Sequence, residues 1–499
     1  MRLPLFLIAI LVSIHGLSAT SRAAEPPADK PVEKPNVLVI IIDDLNDWVG
    51  CMDGHPDAKT PHIDKLAKRG MLFANAHCQA PICGPSRGSF LSGRYPHSTG
   101  LYQQPSGKLQ QEKAFDGTLL PQYFAKHGYD TFGVGKVTHG MPLDVAVQTA
   151  GSSGSSGPKP EGPKPPNDVR FNFTPDYSVP FTGTQTDWAA FPERDEQMPD
   201  VATADWAVKQ LRKAQKKNAK AEAETPWMMM VGFHRPHVPF YVPQKWFDLF
   251  PLADLTLPVI KDDDLADVPA TGVAVHDLPR YPKLPFLRAN NNEQLAKCTQ
   301  AYLACTAFVD AQVGKVLDAL EDDNTIVVLF SDHGYHIGEK DRVSKHSLWE
   351  ESTRVPMMIS HHKLAKGVSA VPVGLIDVYP TLVEFCDLPG NETLEGVSLV
   401  PLLASNEGSI KRDAILTTYG RGNHSVRTAS HRYIRYADGA EELYDLKADP
   451  FEWKNLAGEQ STKAFKAWLP KKEAPYLKRT KSGPVNAWFE VHLGENGIR

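Results

Sequence analysis

Three unbroken apolar runs of strand length, each halted by ionisable residues, constrain this chain more than any other feature. Asn36–Ile42 reads NVLVIII and stops at Asp43-Asp44. Trp227–Phe233 reads WMMMVGF and stops at His234, and Thr325–Ser331 reads TIVVLFS and stops at Asp332-His333. A strand apolar at every position is buried on both faces, as in a parallel sheet covered by helices. A shorter run, Thr131–Val134, leads into Gly135-Lys136. Helical stretches lie between these runs. The first is punctuated by Thr60 as N-cap, Pro61 at the first turn and Gly70 past the end. A second is predicted from about Pro85 to Gly93, and a third over Thr118–His127 with Gly128 closing it. In Glu293–Leu320 the apolar positions Leu295, Cys298, Tyr302, Cys305, Val309, Val313, Val316 and Leu320 step by three and four, which predicts a long amphipathic helix. The alternation predicts an α/β fold: a large doubly wound mixed β-sheet sandwiched by helices. Ligands of such sheets sit outside the carboxyl ends of the strands. All four runs deliver ionisable groups there.

The flanks read differently. Arg2, the apolar run Leu3–Ile14 and the small residues near Ala23 form a secretory signal pattern over 1–23, too short to span a bilayer. Residues 24–35 are a Pro-rich leader. The main domain is expected over 36–395, with Gly151–Pro166 a low-complexity surface insertion. Residues 396–499 are expected to form a smaller C-terminal α+β subdomain, with strands near Ser430–Tyr436 and Glu442–Leu446 and a helix near its end. The formal charge is −5, and removing residues 1–23 takes away Arg2 and Arg22 and no acids, giving −7. Mild acidity argues against nucleic-acid binding. At 41% hydrophobic and 23% charged residues, the chain is neither disordered nor a polytopic membrane protein. Six cysteines in so long a chain are no disulfide framework. Cys298 and Cys305 lie about 10 Å apart along one helix, too far to bridge.

Paired carboxylates delivered by separate strands suit a hard divalent cation such as Ca²⁺, which takes oxygen ligands. Strand-end aspartates can also simply cap turns. Two pairs at equivalent positions, Asp43-Asp44 and Asp332-His333, favour the metal, with His333 the least typical ligand of the four. Cys83 falls near a helix N-terminus, where the backbone dipole favours a thiolate. A small buried cysteine is the alternative.

Cys83-Gly84-Pro85-Ser86-Arg87, followed by Leu91-Ser92-Gly93-Arg94, resembles the signature of type I sulfatases of the alkaline phosphatase superfamily. The likeness is closest to the iduronate 2-sulfatase branch. It extends through Asn36–Asp44, Thr60–Tyr102, Leu120–His139 with its Gly135-Lys136-Val137-Thr138-His139, Gly232-Phe233-His234-Arg235-Pro236-His237, Phe330–Ser347 and Leu443–Leu446 with Asp449-Pro450. Leu143–Pro199 departs from it. The resemblance implies that Cys83 is oxidised to formylglycine by a maturation enzyme, and that its hydrate attacks sulfur and then releases sulfate. It implies one Ca²⁺ held by Asp43, Asp44, Asp332 and His333 with the residue at 83. Arg87 and Lys136 would offset charge, His139 would act as base, and His234 and Lys345 would bind sulfate and protonate the leaving oxygen.

Each of these side chains has a plainer reading, as a solvated lysine or a hydrogen-bonded histidine. For His237 that reading is preferred. His234-x-x-His237 is a weak zinc pair without further ligands. The sequons at Asn172, Asn391 and Asn423 read as chance. The implied substrate is a sulfated carbohydrate, such as a 2-O-sulfated uronic acid or an algal polysaccharide. The implied location is periplasmic or secreted, or lysosomal in a eukaryote, without stable membrane insertion. A phosphate or phosphonate ester hydrolase on the same scaffold, and a non-catalytic glycan-binding protein with Cys83 unmodified, are the competing readings.

Overall fold

Odd- and even-numbered side chains of the first apolar run enter two different cores. Val37, Val39 and Ile41 pack with Phe90, Leu120, Phe124 and Leu382. Leu38, Ile40 and Ile42 pack with Ile63, Leu66, Leu211 and Val309. A strand with apolar packing on both faces is the centre of a three-layer structure. The computed structural model describes residues 34–104, 118–153, 186–220, 225–277, 281–321, 323–405 and 407–476. The signal-like segment and all but the first residues of the low-complexity insertion lie outside the described residues.

In chain order the central elements are β1 (Asn36–Asp43), α1 (Pro61–Arg69), β2 (Met71–Phe73), α2 (Cys83–Ser92), α3 (Leu120–Lys126), β3 (Asp130–Gly135) and β4 (Thr149–Ser153). There follow α4 (Pro199–Asn218), β5 (Trp227–Pro236), α5 (Leu284–Leu317), β6 (Thr325–Ser331), β7 (Met357–Ser360), β8 (Gly367–Ser369) and α6 (Val378–Phe385). The eight strands run in the order β8-β2-β7-β6-β1-β5-β3-β4. β1 is parallel to β5 and β6 on either side, and β3 is parallel to β5 and β4. β7 runs antiparallel to both β6 and β2, which makes the sheet mixed. The expected doubly wound mixed sheet is the one observed.

Helix α5 starts earlier than its apolar spacing predicts. Ala289–Asn292 leave helical geometry, with Asn290, Asn291 and Asn292 at φ of 52, 60 and 64°. Asparagine tolerates this left-handed region better than most residues. The unbroken helix therefore begins at Glu293, where the period of three and four begins. Among the described residues no helix is long and apolar enough to cross a membrane. All six cysteines are free, with Cys298 and Cys305 fully buried.

A second sheet follows: β9 (Ala414–Thr418), β10 (His424–Thr428), β11 (His431–Arg435) and β12 (Glu441–Asp445), an antiparallel meander. The expected terminal helix is a single turn, Lys463–Lys466. The sheet docks beside α2 through Ile82, Leu348, Trp349, Tyr419, Tyr436 and Tyr444. Arg432 bridges Glu350 and Glu452 within this contact, and Trp349 Nε1 donates to Glu442 at 2.8 Å.

Candidate active site

Register alone brings the two aspartate pairs together. Ile42 pairs with Ser331 across β1 and β6, and the Asp332 N–H donates to the Ile42 carbonyl at 3.1 Å. Asp43-Asp44 and Asp332-His333 thus leave adjacent strands at one level, and all four are fully buried. Asp44 adopts a left-handed φ of 64°, and its N–H donates to Asp332 Oδ1 at 3.3 Å. On the other side of β1 the register slips after Ile42, so that Asp43 faces Pro236. This irregularity turns His234 toward the site, 3.7 Å from Asp43 Oδ2. The Asp200 carboxylate, at the start of α4, accepts the His234 and Arg235 amides at 2.7 and 2.9 Å and pins the bend.

Two glycines bring in Lys136. Gly135 takes φ +73°, and a Cβ on Gly232 would lie 2.1 Å from the Lys136 carbonyl. Only an unsubstituted backbone allows that approach. Lys136 Nζ then pairs with Asp43 and lies 3.8 Å from Cys83 Sγ.

Cys83 is the first residue of α2, every residue of which is buried. Arg87, one turn later on the same face, donates from Nε to Asp332 Oδ2 at 2.9 Å and lies 3.4 Å from Asp43 Oδ1. Around Cys83 Sγ stand Lys345 Nζ at 3.1 Å, His333 Nε2 at 3.2 Å and Asp43 Oδ1 at 3.5 Å. His139 lies close enough to interact with the sulfur as well. Burial works against a Cys83 thiolate, but Lys136, Lys345 and His333 outweigh it and hold the thiol well below its usual range. Burial lowers His139 and takes His234 well below the ordinary histidine value, so both rings are neutral at pH 7. Burial also opposes the Lys345 ammonium, yet Asp44 and Cys83 keep it cationic.

The carboxylates crowd one another. Asp43 is held far below the carboxylate range by Lys136, His237 and Arg87, which overcome burial and the Cys83 charge. Burial lifts Asp332 to about 7 despite Arg87 beside it. His333 Nδ1 lies 3.0 Å from the Gly334 carbonyl, which leaves Nε2 facing Asp44 Oδ1 at 3.4 Å and Asp332 Oδ1 at 3.6 Å. Asp44 Oδ2 is buried with no hydrogen-bond partner. An orphaned carboxylate oxygen among three carboxylates and an imidazole fits a hard divalent cation.

The structure therefore gathers Asp43, Asp44, Cys83, Arg87, Lys136, His139, His234, Asp332, His333 and Lys345 around one point. It adds three residues. His237, read from the sequence as structural, lies 3.9 Å from Asp44 Oδ2 and packs against His234 with ring centroids 4.7 Å apart and the rings tilted by 32°. Asp200 carries no sequence signal beyond its place after Pro199 at a helix start. Gln104 closes another edge, its Oε1 accepting the Gly84 amide at 2.8 Å.

This arrangement can hold a tetrahedral oxyanion between a metal and fixed cations, with neutral imidazoles ready to accept protons. The comparisons agree with that chemistry. The sulfatase family profile matches residues 35–388, and a profile for the C-terminal part of N-sulphoglucosamine sulphohydrolase matches residues 338–477. A sulfatase of Formosa agariphila is 40% identical over 486 residues, 92% of this chain and 93% of its own. Iduronate 2-sulfatase of Homo sapiens is 30% identical over 417 residues, 77% of this chain and 70% of its own. A solved 2-O GAG sulfatase superposes with a TM-score of 0.66 at 25% identity, covering 87% of this chain and 90% of that one. The chain belongs to the sulfatase family and is a sulfuric ester hydrolase.

Proposed function

We propose that this protein is an exported, formylglycine- and Ca²⁺-dependent sulfatase that removes sulfate from a sulfated carbohydrate. The substrate favoured here is a 2-O-sulfated uronic acid, because similarity reaches both iduronate 2-sulfatase and a 2-O GAG sulfatase. The observation that carries the reading is the environment of Cys83, a buried position ringed by Lys136, Lys345, His139 and His333 beside three carboxylates. A structural cysteine has no need of such surroundings. Export rests on the apolar run Leu3–Ile14. Oxidation of Cys83 requires a partner enzyme in the host.

Asp43, Asp44, Asp332 and His333 would hold the cation, which supplies charge stabilisation for the sulfate oxygens and lowers the pKa of the attacking hydroxyl. Formylglycine supplies an oxygen nucleophile in place of sulfur. The chain's own residues do the rest. Arg87 is fixed by Asp332 and Asp43 and so adds positive charge without reorganising. Lys136 stands between Asp43 and position 83. His139 is neutral and lies beside position 83, so its ring nitrogen can take the proton that accompanies sulfate release. His234 is held by the Asp200-pinned backbone and faces the same space. Lys345 carries a proton at Nζ within reach of the leaving oxygen. Loss of the thiolate charge on modification removes one of the groups that hold this proton, and eases its transfer.

Matched aryl sulfate and aryl phosphate esters test the reading. Faster sulfate cleavage is expected. Faster phosphate cleavage would make the protein a phosphate or phosphonate ester hydrolase on the same scaffold.

A further inference from the structure

A second set of uncommitted charges lies on the small sheet. β9 and β10 are joined by Tyr419-Gly420-Arg421-Gly422-Asn423, in which Gly420 and Gly422 take φ of 70 and 83°. The turn is closed by the Tyr419 N–H donating to the Asn423 carbonyl at 3.0 Å. It carries Arg421 to the edge of a groove of about 320 Å³, whose lining includes His424, Arg435, Leu469, Pro470 and Glu473.

The charges there do not cancel. Among the described residues, Glu473 is the single carboxylate in the lining. It is already engaged, accepting the Gly422 amide at 2.9 Å and standing 3.3 Å from His424 Nε2. The Arg421 amide donates to Tyr476 Oη at 3.0 Å, but no carboxylate among the described residues pairs with its guanidinium. Arg435 reaches Glu441 only at 3.8 Å, and that carboxylate is shared with Lys466 at 2.6 Å and Thr462 at 2.8 Å. Arg421 therefore faces the groove without a committed counter-charge and Arg435 with only a distant, shared one, and both are half-buried. A guanidinium fork matches carboxylate and tetrahedral oxyanions with two parallel hydrogen bonds.

The turn that carries Arg421 adjoins the loop that carries Lys345. Tyr419 Oη lies 3.4 Å from His346 Nδ1, and the adjacent Lys345 places Nζ 3.1 Å from Cys83 Sγ. Arg421 is two residues from Tyr419, at most about 7 Å of chain.

We infer that this groove is an anion subsite for the substrate, in which Arg421 and Arg435 hold a carboxylate or second sulfate on a sugar beyond the one cleaved. The inference rests on the sulfated-carbohydrate reading above. A small aryl sulfate carries no second anion and gains nothing from the groove.

The test uses Arg421→Gln and Arg435→Gln with two probes, 4-nitrophenyl sulfate and a heparin-derived hexasaccharide. Turnover is measured on the formylglycine-bearing enzyme. Hexasaccharide binding is measured by calorimetry on the Cys83→Ala protein, which holds the ligand without cleaving it. Each substitution is expected to weaken hexasaccharide binding and its kcat/KM by about ten- to hundredfold. Aryl sulfate turnover should stay at the parent rate, and Arg421→Lys should recover part of the loss. Hexasaccharide affinity unchanged in Arg421→Gln, equal losses on both probes, or no binding by the parent would overturn the inference. Arg421-dependent binding by a protein that hydrolyses no sulfate ester would uphold the subsite and remove the enzymatic reading instead.

Discussion

At the scale of single residues, the site is a problem in placing like charges. Three carboxylates and a thiolate share one buried space with Arg87, Lys136, Lys345 and His333, and their protonation is set by the neighbours each one faces. Lys345 gives the sharpest residue-level prediction. If its ammonium protonates the leaving oxygen, Lys345→Ala should cost carbohydrate sulfates about 10²- to 10⁴-fold in kcat. 4-Nitrophenyl sulfate, whose leaving group needs no proton, should lose far less. Equal losses on both esters would assign Lys345 to sulfate binding alone. The aspartate pairs, Lys136 and His234 were legible because they end strands, whereas Arg87, His139 and Lys345 were read only through the resemblance to the sulfatase motifs. His237 was read differently because its partner, Asp44 Oδ2, is some two hundred positions away. No local pattern reports such a contact.

At the scale of elements, the strands announce themselves and their junctions do not. Asn36–Ile42, Trp227–Phe233 and Thr325–Ser331 were readable because burial on both faces leaves an unbroken apolar run. The slip between β1 and β5, which aims His234, leaves no such trace. It depends on Asp200, whose carboxylate accepts both amides at the bend. Asp200→Ala should lower kcat about tenfold or more through misplacement of His234, with the unfolding midpoint falling by only about 1–2 kcal/mol equivalent. Asp200→Asn, which keeps one acceptor oxygen, should recover part of the activity. The junction between the two sheets is also invisible in the sequence. Arg432 on β11 is fully buried between Glu350 and Glu452. Arg432→Leu leaves Glu452 without its ion-pair partner, while Glu350 keeps Arg427 at 3.1 Å, and should cost about 3–5 kcal/mol of stability in urea unfolding.

At the scale of the whole molecule, net charge says little about the substrate. The chain carries −5, yet Arg87, Lys136 and Lys345 are gathered around the strand ends where three of the acids face one another. If those acids hold Ca²⁺, chelation should lower the melting temperature, by the equivalent of about 2.7 kcal/mol where the free ion was at a hundred times its Kd. Asp44→Asn should blunt that response. The pH dependence of stability has its own signature. His276 is wholly buried, and burial, with Arg342 and Lys340 nearby, keeps its pKa well below the ordinary value. The unfolded chain therefore binds that proton first. The stabilisation is complete above about pH 6.5 and is lost as pH falls toward the folded pKa, by about 1.4 kcal/mol for each unit of depression. Denaturant midpoints at pH 7 and pH 5 should differ less in His276→Phe than in the parent protein.

The central claim concerns one side chain, and one measurement addresses it. Trypsin releases Gly70–Arg87, a peptide with two cysteines, Cys78 and Cys83. Mass spectrometry of this peptide, from active protein made in its native host, should find an aldehyde at position 83 in place of the CH₂SH group and a thiol at Cys78. Thiols at both positions in protein that hydrolyses sulfate esters would contradict the account.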